Sequence, residues 1–326
     1  MGATVITGGA GFLGRQLAAR LLADQTDAEL LLVDQVGVED PPWGDDGRVT
    51  SIVGDVADRH FIREFISGEV TRVYHLASVV SAGAEQDFDL GYVVNLQGTI
   101  DLLERCRVVG EQTGRTIQVV FTSSCAAYGS GAGKSVDDST ALRPETSYGV
   151  QKASCELLVN DYHRKGFIDG RGLRLPTVSV RPGKPNLAAS GFASGIIREP
   201  LQGVDMTCPV TADTVMAVIS PGRVIDALVA ISELDPDALG ADRTLLLPGL
   251  PMAMQEAVDA VAQEAAEHDV VGALGAVTFS PEQDIQRIVD SWPASITSAR
   301  AEDLGFVGDS SVAAIVRQHI VDVLGE

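Results

Sequence analysis

Two side chains that can carry out proton chemistry stand four residues apart near the middle of the chain. Tyr148 and Lys152 lie in the segment Ser147-Tyr148-Gly149-Val150-Gln151-Lys152, which opens a helical pattern running to Lys165. Residues four apart share a face of a helix, so the lysine ammonium can stand near the phenol. A phenol titrates near ~10 in water, and a neighbouring cation favours its charged form. Tyr148 is therefore a candidate general base for an alcohol proton.

A glycine-rich turn follows the first strand-like segment. Gly8, Gly11 and Gly14 recur at intervals of three, with Phe12 and Leu13 between the last two. Glycines at this spacing permit a tight turn, a close approach of backbone to a pyrophosphate, and close packing of a helix on a strand. The amides at the start of that helix then face the phosphates. We predict that these five residues bind a dinucleotide.

Acidic residues close the second and third strands of the pattern. Asp34 stands about twenty residues beyond the glycines, where dinucleotide sites place the acid that binds the ribose hydroxyls. Because an acid there repels a 2′-phosphate and no arginine follows closely, the sequence predicts NAD rather than NADP. Asp55, followed by Val56, has the composition of an ordinary turn. Its place at the carboxyl edge of the predicted sheet makes Asp55 a candidate adenine contact, and Val56 beside it a candidate cofactor contact.

A second glycine-rich segment, Gly129-Ser130-Gly131-Ala132-Gly133-Lys134-Ser135, resembles a P-loop. The P-loop pattern requires a glycine five residues before Gly133, and that position is Tyr128. The segment also continues into Val136 and Asp137 instead of opening a helix. We predict a loop beside the site and not a nucleoside triphosphate site.

The elements that must position these residues alternate along the first half of the chain. Strands are predicted at Ala3–Thr7, Leu30–Asp34, Val49–Val53, Arg72–Ala77, Ile117–Ser123 and Leu175–Arg181. Continuous apolar strands separated by amphipathic helices are typical of a parallel sheet covered on both faces. The fold class is therefore predicted to be α/β, a doubly wound parallel sheet of the Rossmann type.

The pattern becomes looser beyond about residue 182 and indicates a second, smaller lobe. We expect residues 1–181 to form an NAD-binding domain, with a returning strand and helix near 215–232. Residues 182–214 and 233–326 are expected to form a C-terminal substrate-binding lobe. Helical patterns there cover Met254–Glu267, Ser280–Asp290 and Ser310–Leu324.

Composition excludes several classes of partner. The chain has 326 residues with 24 Lys and Arg against 45 Asp and Glu, a net charge of −21. Such a charge repels phosphate backbones and anionic membrane surfaces, so neither nucleic acid nor a membrane is an expected partner. No apolar run reaches the ~18 residues of a membrane span and no signal peptide is apparent, which predicts a cytoplasmic protein. The cysteines are widely spaced, so we expect no metal site. We expect them to be small buried side chains instead.

The ordered set of motifs resembles the extended short-chain dehydrogenase/reductase family. The set comprises Gly8, Gly11, Gly14, Asp34, Gly54-Asp55-Val56, His75-Leu76-Ala77, Asn95, Ser123-Ser124 with Tyr128-Gly129, and Tyr148 with Lys152. The resemblance implies catalysis by Ser124, Tyr148 and Lys152, with Ser123 as the second choice for the hydroxyl. It also implies that Lys152 and Tyr148 contact the nicotinamide ribose, that Leu76, Ala77, Ser78 and Asn95 line the cofactor site, and that His75 is structural. A homodimer formed through the helices carrying Asn95 and Tyr148 is implied as well.

Within that family, residues 174–186 and 191–200 look closely like the D-erythronate dehydrogenases. This implies oxidation of a short sugar acid at C2, with NAD as the cofactor. A small carboxylate substrate needs cationic or amide donors. The candidate substrate contacts are Ser124, Tyr148, Thr177, Arg181, Lys184, Asn186 and Arg198.

Two other functions stay open at the level of sequence. A nucleotide-sugar epimerase of the same family would use the same side chains but return the hydride, so that no NADH accumulates. A dinucleotide-sensing regulator would keep the fold without turnover. The complete set of Ser124, Tyr148 and Lys152 weighs against the regulator, because a sensor has no need of all three.

Overall fold

The computed structural model describes residues 2–182, 190–268, 270 and 272–324. The strands are β1 Ala3–Thr7, β2 Leu30–Asp34, β3 Val49–Val53, β4 Val70–His75, β5 Ile117–Ser124, β6 Ser135–Val136, β7 Ile168–Leu175, β8 Thr177–Val178, β9 Met206–Cys208, β10 Val215–Ile219, β11 Thr244–Leu246, β12 Leu250–Ala253, β13 Val277–Phe279 and β14 Ser295–Ile296. The helices are α1 Phe12–Asp24, α2 Arg59–Phe65, α3 Ser81–Gln86, α4 Phe88–Gly91, α5 Gly98–Thr113, α6 Ser147–Arg164, α7 Phe192–Leu201, α8 Pro221–Glu233, α9 Met254–Glu267, α10 Gln283–Asp290, α11 Ala299–Asp303 and α12 Val312–Leu324. A π-helical segment, Tyr92–Gln97, joins α4 to α5.

The chain divides into two compact units. Unit 1 comprises residues 1–123, 146–174 and 225–245, and unit 2 comprises residues 124–145, 175–224 and 246–326. The predicted returning segment near 215–232 is therefore shared, since β10 lies in unit 2 and most of α8 lies in unit 1. That one part of the chain binds the cofactor and the other binds the substrate stays a prediction.

The main sheet has the strand order β11-β7-β5-β4-β1-β2-β3. The pairs from β3 through β2, β1 and β4 to β5 are all parallel. The order reverses between β1 and β4, and ligands of such sheets bind outside the carboxyl ends of the strands at that point. The predicted doubly wound α/β fold is confirmed. The first three predicted strands coincide residue for residue with β1, β2 and β3.

Two predicted strands are displaced by two residues or more. The fourth, predicted at Arg72–Ala77, is β4, Val70–His75. The segment Leu175–Arg181 was expected as the sixth strand, but the sheet is extended by β7, Ile168–Leu175, and only Thr177–Val178 beyond it is a strand, in unit 2. The reason is that β7 carries two arginines that break the apolar pattern. Arg171 and Arg174 are both buried, at 1% and 9% exposure, and each donates to a carboxylate. Arg171 pairs with Asp169 of the same strand, whereas the partner of Arg174 is Glu156, 18 residues away on α6, and that pairing has no local sequence signal.

Unit 2 is built around a three-stranded sheet, β12-β10-β8, and two short two-stranded sheets. Its core gathers apolar side chains from α7, β10, α9 and α12, including the fully buried Ile197, Val218, Met254 and Val316. The helix predicted at Met254–Glu267 coincides with α9. The other two predicted helices begin two or three residues later than expected.

Among the residues described, no helix combines the length and the apolar character needed to cross a membrane. The same part of the chain contains no group of three or more His, Cys, Asp and Glu side chains arranged to hold a metal ion. Cys106, Cys125, Cys155 and Cys208 form no disulfide bond and are buried, which confirms the prediction that they are small core side chains.

Candidate active site

The glycine-rich turn between β1 and α1 leaves no space for larger side chains. Gly8 has φ +73°, and a Cβ there would lie 2.9 Å from the amide nitrogen of Ala77. A Cβ on Gly14 would lie 2.3 Å from the carbonyl oxygen of Gly8, whereas one on Gly11 would approach the same oxygen only to 3.1 Å. The turn therefore brings the end of β1, the start of α1 and the segment after β4 together through backbone contacts that only glycine allows.

The start of α1 has the properties of a phosphate site. Its N-cap, Gly11, has no side chain to satisfy the first amides, and the first turn contains no acidic residue. Uncapped amides at a helix start, together with the helix dipole, attract an anion. Phe12 and Leu13, both partly exposed, occupy the first turn. The glycine cradle and the free amides fit the pyrophosphate of a dinucleotide.

Asp34 and Asp55 take up their predicted places at the ends of β2 and β3. The Asp34 carboxylate accepts from the amides of Ala10 (3.1 Å) and Gln35 (2.8 Å), so it is fixed against the glycine turn while remaining partly exposed. Asp55 accepts from the amide of Ala57 at 2.8 Å, a turn-type bond. An oriented, accessible carboxylate at Asp34 suits a ribose diol. Val56 is 6% exposed. The adenine contact of Asp55 and the cofactor contact of Val56 stay predictions.

The end of β4 is joined to the end of β1 by a buried polar chain. The Thr7 hydroxyl bonds to His75 Nδ1 (2.7 Å) and accepts from the amide of Ala77 (3.3 Å), and His75 Nε2 lies 3.0 Å from the Thr99 hydroxyl. Burial lowers the pKa of His75 to about 3, and the charge of Lys152 adds to that effect. A neutral imidazole with both nitrogens bonded is suited to a structural role. It holds the backbone leading into Leu76 and Ala77.

Asn95 organises the segment that follows. Its Oδ1 accepts from the Val79 amide (2.8 Å) and the Ser78 hydroxyl (3.0 Å), and its Nδ2 donates to the Val79 carbonyl (3.0 Å) and to Gln151 Oε1 (2.7 Å). The side chain is 3% exposed and uses its full hydrogen-bonding capacity within the protein. Asn95 thus ties the Ser78–Val79 segment to α6.

Tyr148 and Lys152 lie on the first turns of α6, as predicted. Thr146 caps this helix, its hydroxyl accepting from the Gly149 amide at 3.1 Å. Lys152 is 4% exposed, and its Nζ lies 5.6 Å from the centre of the Tyr148 ring and donates to the Thr122 carbonyl at 2.9 Å. Burial lowers the pKa of Lys152 to about 8, against the opposing influence of Cys155 and Glu156. The structure therefore brings the cation and the phenol together.

The two candidate serines differ in their surroundings. Ser123 is 3% exposed and donates to the carboxylate of Glu156. Ser124, the last residue of β5, is partly exposed, and its hydroxyl accepts from the Ala126 amide at 3.2 Å. A hydroxyl that accepts locally keeps its own proton available for donation. This favours Ser124 over Ser123 for contact with a substrate.

Apart from Tyr148, which lies in unit 1, the predicted substrate contacts that the structure describes lie in unit 2. Thr177 is 8% exposed in β8. The guanidinium of Arg181, which is partly exposed, donates to the Val178 carbonyl (3.0 Å) and to the Ser190 hydroxyl (2.7 Å). Arg198 is 6% exposed and donates to the Arg181 carbonyl at 2.6 Å and to the Glu199 carboxylate at 2.5 Å. Lys184 and Asn186 lie outside the described residues.

Two residues that support the site were not predicted from the sequence. Gln151 accepts a hydrogen bond from Asn95, and Glu156 accepts hydrogen bonds from Ser123 and Arg174. Glu156 has one usable signal, a charged residue four positions after Lys152 on the same helix face. Gln151 has no comparable signal because its partner lies 56 positions away.

Comparison with known proteins provides evidence that is independent of this geometry. The chain is 46% identical to a D-erythronate dehydrogenase of Cupriavidus necator and 39% identical to one of Haemophilus influenzae, each match covering at least 97% of both chains. A crystal structure of a nucleoside-diphosphate-sugar epimerase from Agrobacterium tumefaciens superposes with a TM-score of 0.90 at 37% identity, over 99% of this chain and 95% of that one. The model of the NAD dependent epimerase/dehydratase family matches residues 4–233. The chain therefore belongs to the NAD dependent epimerase/dehydratase family, and its cofactor is NAD.

Proposed function

We propose that this NAD-dependent dehydrogenase oxidises a short sugar acid at C2, converting D-erythronate to 2-oxo-tetronate. The observation that carries the proposal is the buried Lys152 beside Tyr148 in a chain whose full-length relatives include two D-erythronate dehydrogenases. Those relatives support the oxidation of a sugar acid with NAD. The roles of the individual side chains in oxidation at C2 are proposed from their positions in the structure.

Each side chain has a defined role in this reaction. The substrate C2 loses a hydride, and its hydroxyl proton passes to Tyr148 as general base. Lys152 stabilises the phenolate and, with the glycine turn, Asp34, Leu76 and Ala77, would hold the cofactor. When bound, NAD supplies the hydride acceptor. Ser124 donates a hydrogen bond to the reacting oxygen.

The substrate carboxylate requires a cationic partner, for which we propose Arg181. Its guanidinium is partly exposed, and bonds to the Val178 carbonyl and the Ser190 hydroxyl help to orient it. Arg198 is more deeply buried, and its bonds to the Arg181 backbone and to Glu199 suit a role in orienting Arg181.

The test of the function is NADH formation with D-erythronate as the sole substrate, followed by identification of the product as a 2-oxo acid. We expect steady NADH accumulation and a keto group at C2. The matched control is D-threonate, which differs in configuration at one hydroxyl-bearing carbon. A product oxidised at C3 or C4, or no NADH with D-erythronate, would contradict the proposal.

One alternative keeps specific support, because the Agrobacterium tumefaciens neighbour is named as a nucleoside-diphosphate-sugar epimerase. An epimerase returns the hydride to its substrate, so it converts a UDP-hexose without net NADH. Incubation with UDP-glucose and UDP-galactose separates the two functions. Interconversion of these sugars without NADH would favour the epimerase.

We also propose a homodimer formed through α4, the π-helical segment and α6 of unit 1. Exposed apolar side chains gather on these elements: Phe88, Leu90, Val93, Val150 and Leu157, the last at 70% exposure. The elements that carry them are packed together, since α6 contacts both α4 and the π-helical segment. Large exposed apolar patches mark protein interfaces. The predicted cytoplasmic location stays a prediction.

Substitution of Leu157 by Glu is expected to convert the dimer to a monomer in sedimentation equilibrium, since it places a charge within the apolar surface. Leu157 is exposed, so the fold of the subunit should be retained. Val307→Glu, at a residue 56% exposed in unit 2, is the matched control and should leave the mass unchanged. A monomeric wild-type protein would contradict this part of the proposal.

A further inference from the structure

A buried ion pair lies one helical turn beyond Lys152. Glu156 of α6 is 4% exposed, and Arg174 of β7 donates to both of its oxygens, from Nε to Oε1 at 2.9 Å and from Nη2 to Oε2 at 2.5 Å. Replacing a buried ion pair by apolar side chains is often neutral or stabilising, because both ions must be taken out of water. Stability alone is therefore a weak reason for this pair.

The pair and Lys152 are anchored to the same stretch of β5. Lys152 Nζ donates to the carbonyl of Thr122, and the hydroxyl of the next residue, Ser123, donates to Glu156. Lys152 and Glu156 are four residues apart and share a face of α6. Two successive residues of β5 thus fix the ammonium and the carboxylate on one side of the helix.

The charges around Lys152 come from three elements. On α6 the titratable groups are Tyr148, Cys155 and Glu156, β4 contributes His75, and β7 contributes Arg174 through its bond to Glu156. Burial lowers the pKa of His75 to about 3 and raises the pKa of the Cys155 thiol, so both are neutral at pH 7. Within this set Glu156 is the carboxylate, and it acts against the desolvation of Lys152.

We propose that Glu156 is a positioning residue that keeps the buried Lys152 an ammonium ion, and that Arg174 limits this effect by neutralising Glu156. The pair sets the charge of Lys152 between two extremes. If Arg174 were absent, the Glu156 carboxylate would form a tight ion pair with Lys152. With the guanidinium alone, a second buried cation would oppose the ammonium.

This inference rests on the proposed function only for its consequence, since an ammonium at Lys152 is what makes Tyr148 a base. The protonation of Lys152 itself can be measured in the cofactor-free protein without any turnover. Failure to oxidise D-erythronate would leave that measurement unaffected. The two proposals can therefore fail separately.

Opposite effects of the two single substitutions distinguish a charge role from a structural one. Glu156→Gln removes the carboxylate and leaves Arg174, so the pKa of Lys152 should fall by about one pH unit. Arg174→Gln leaves Glu156 unopposed, so the pKa should rise by a similar amount. In the double variant Glu156→Gln/Arg174→Gln both charges are gone, and the pKa should lie between those of the single variants.

The chain suits direct titration because it has only four lysines, Lys134, Lys152, Lys165 and Lys184. Full-length protein labelled with ¹³C at lysine Cε gives one NMR signal for each, and the signal lost in Lys152→Arg identifies Lys152. The other three lysines serve as internal controls and should titrate identically in every variant.

A comparison that avoids an unpaired Arg174 keeps the proposal testable if Glu156→Gln does not fold. Arg174→Gln and the double variant differ only in the charge of residue 156, so the pKa of Lys152 should be lower in the double variant. Equal pKa values in these two proteins would overturn the inference. A shift of both single variants in the same direction would also overturn it, because it indicates a purely structural pair.

Discussion

Tyr148→Phe protein should form NADH from D-erythronate about 10³-fold more slowly than wild type, within the range found when a general base is removed. The substitution takes away only the hydroxyl. The N-cap bond from the Gly149 amide to Thr146 and the buried position of Lys152 do not depend on it. NAD binding should therefore stay within a few-fold of wild type. Initial rates of NADH formation and calorimetric titration with NAD measure the two quantities.

A matched Tyr-to-Phe change elsewhere separates the chemistry from a general effect on the fold. Tyr92 lies in the π-helical segment, where its ring stacks on Phe88 at a centroid distance of 4.4 Å. Tyr92→Phe keeps that stacking and should keep wild-type activity. If Tyr148→Phe were as active as Tyr92→Phe, Tyr148 would not be the base.

The parts of the site that sequence predicts well are those fixed by local chemistry. The glycine turn is one, because a positive φ at Gly8 and the clash at Gly14 arise within seven consecutive residues. Tyr148 and Lys152 are another, because helix geometry alone places residues four apart on one face. In both cases the residues that act together are close in the sequence, so local backbone geometry is enough to bring them together.

The parts that sequence does not predict depend on pairing between distant elements. Arg198, a predicted contact of the sugar acid, is ion-paired with the adjacent Glu199. Arg174 of β7 is ion-paired with Glu156 of α6. A partner 18 residues away on another element leaves no periodicity to find. β7 was not predicted for a related reason, because its buried arginines interrupt the apolar pattern that is typical of a central strand.

The strong negative charge of the chain makes dinucleotide binding depend on hydrogen-bond donors at the glycine turn. With a net charge of −21, the protein as a whole repels an anionic dinucleotide. Binding then depends on local donors, and the uncapped amides of α1 are among them. Small displacements of these amides should accordingly have large effects on affinity.

Gly14→Ala is expected to weaken NAD binding by at least about 100-fold, corresponding to two lost charge-assisted hydrogen bonds at about 1.5 kcal/mol each. The added Cβ would lie 2.3 Å from the Gly8 carbonyl oxygen and 2.8 Å from the Gly9 Cα, and neither backbone atom can move without shifting the turn. The first turn of α1 must then rotate away from the phosphates. Calorimetric titration with NAD gives the affinity, and circular dichroism shows that the sheet and helices are retained.

A graded series makes this prediction specific to the cradle. Gly11→Ala meets the Gly8 oxygen at 3.1 Å, a contact that a shift of a few tenths of an ångström relieves, so its effect should be smaller. Gly131, in the segment that resembles a P-loop, has nothing within 4 Å of its added Cβ, and Gly131→Ala should bind NAD as wild type does. Loss of affinity in the order Gly14, Gly11, Gly131 identifies the turn as the phosphate site. An equal loss at Gly131 would instead assign the nucleotide to the second glycine-rich segment.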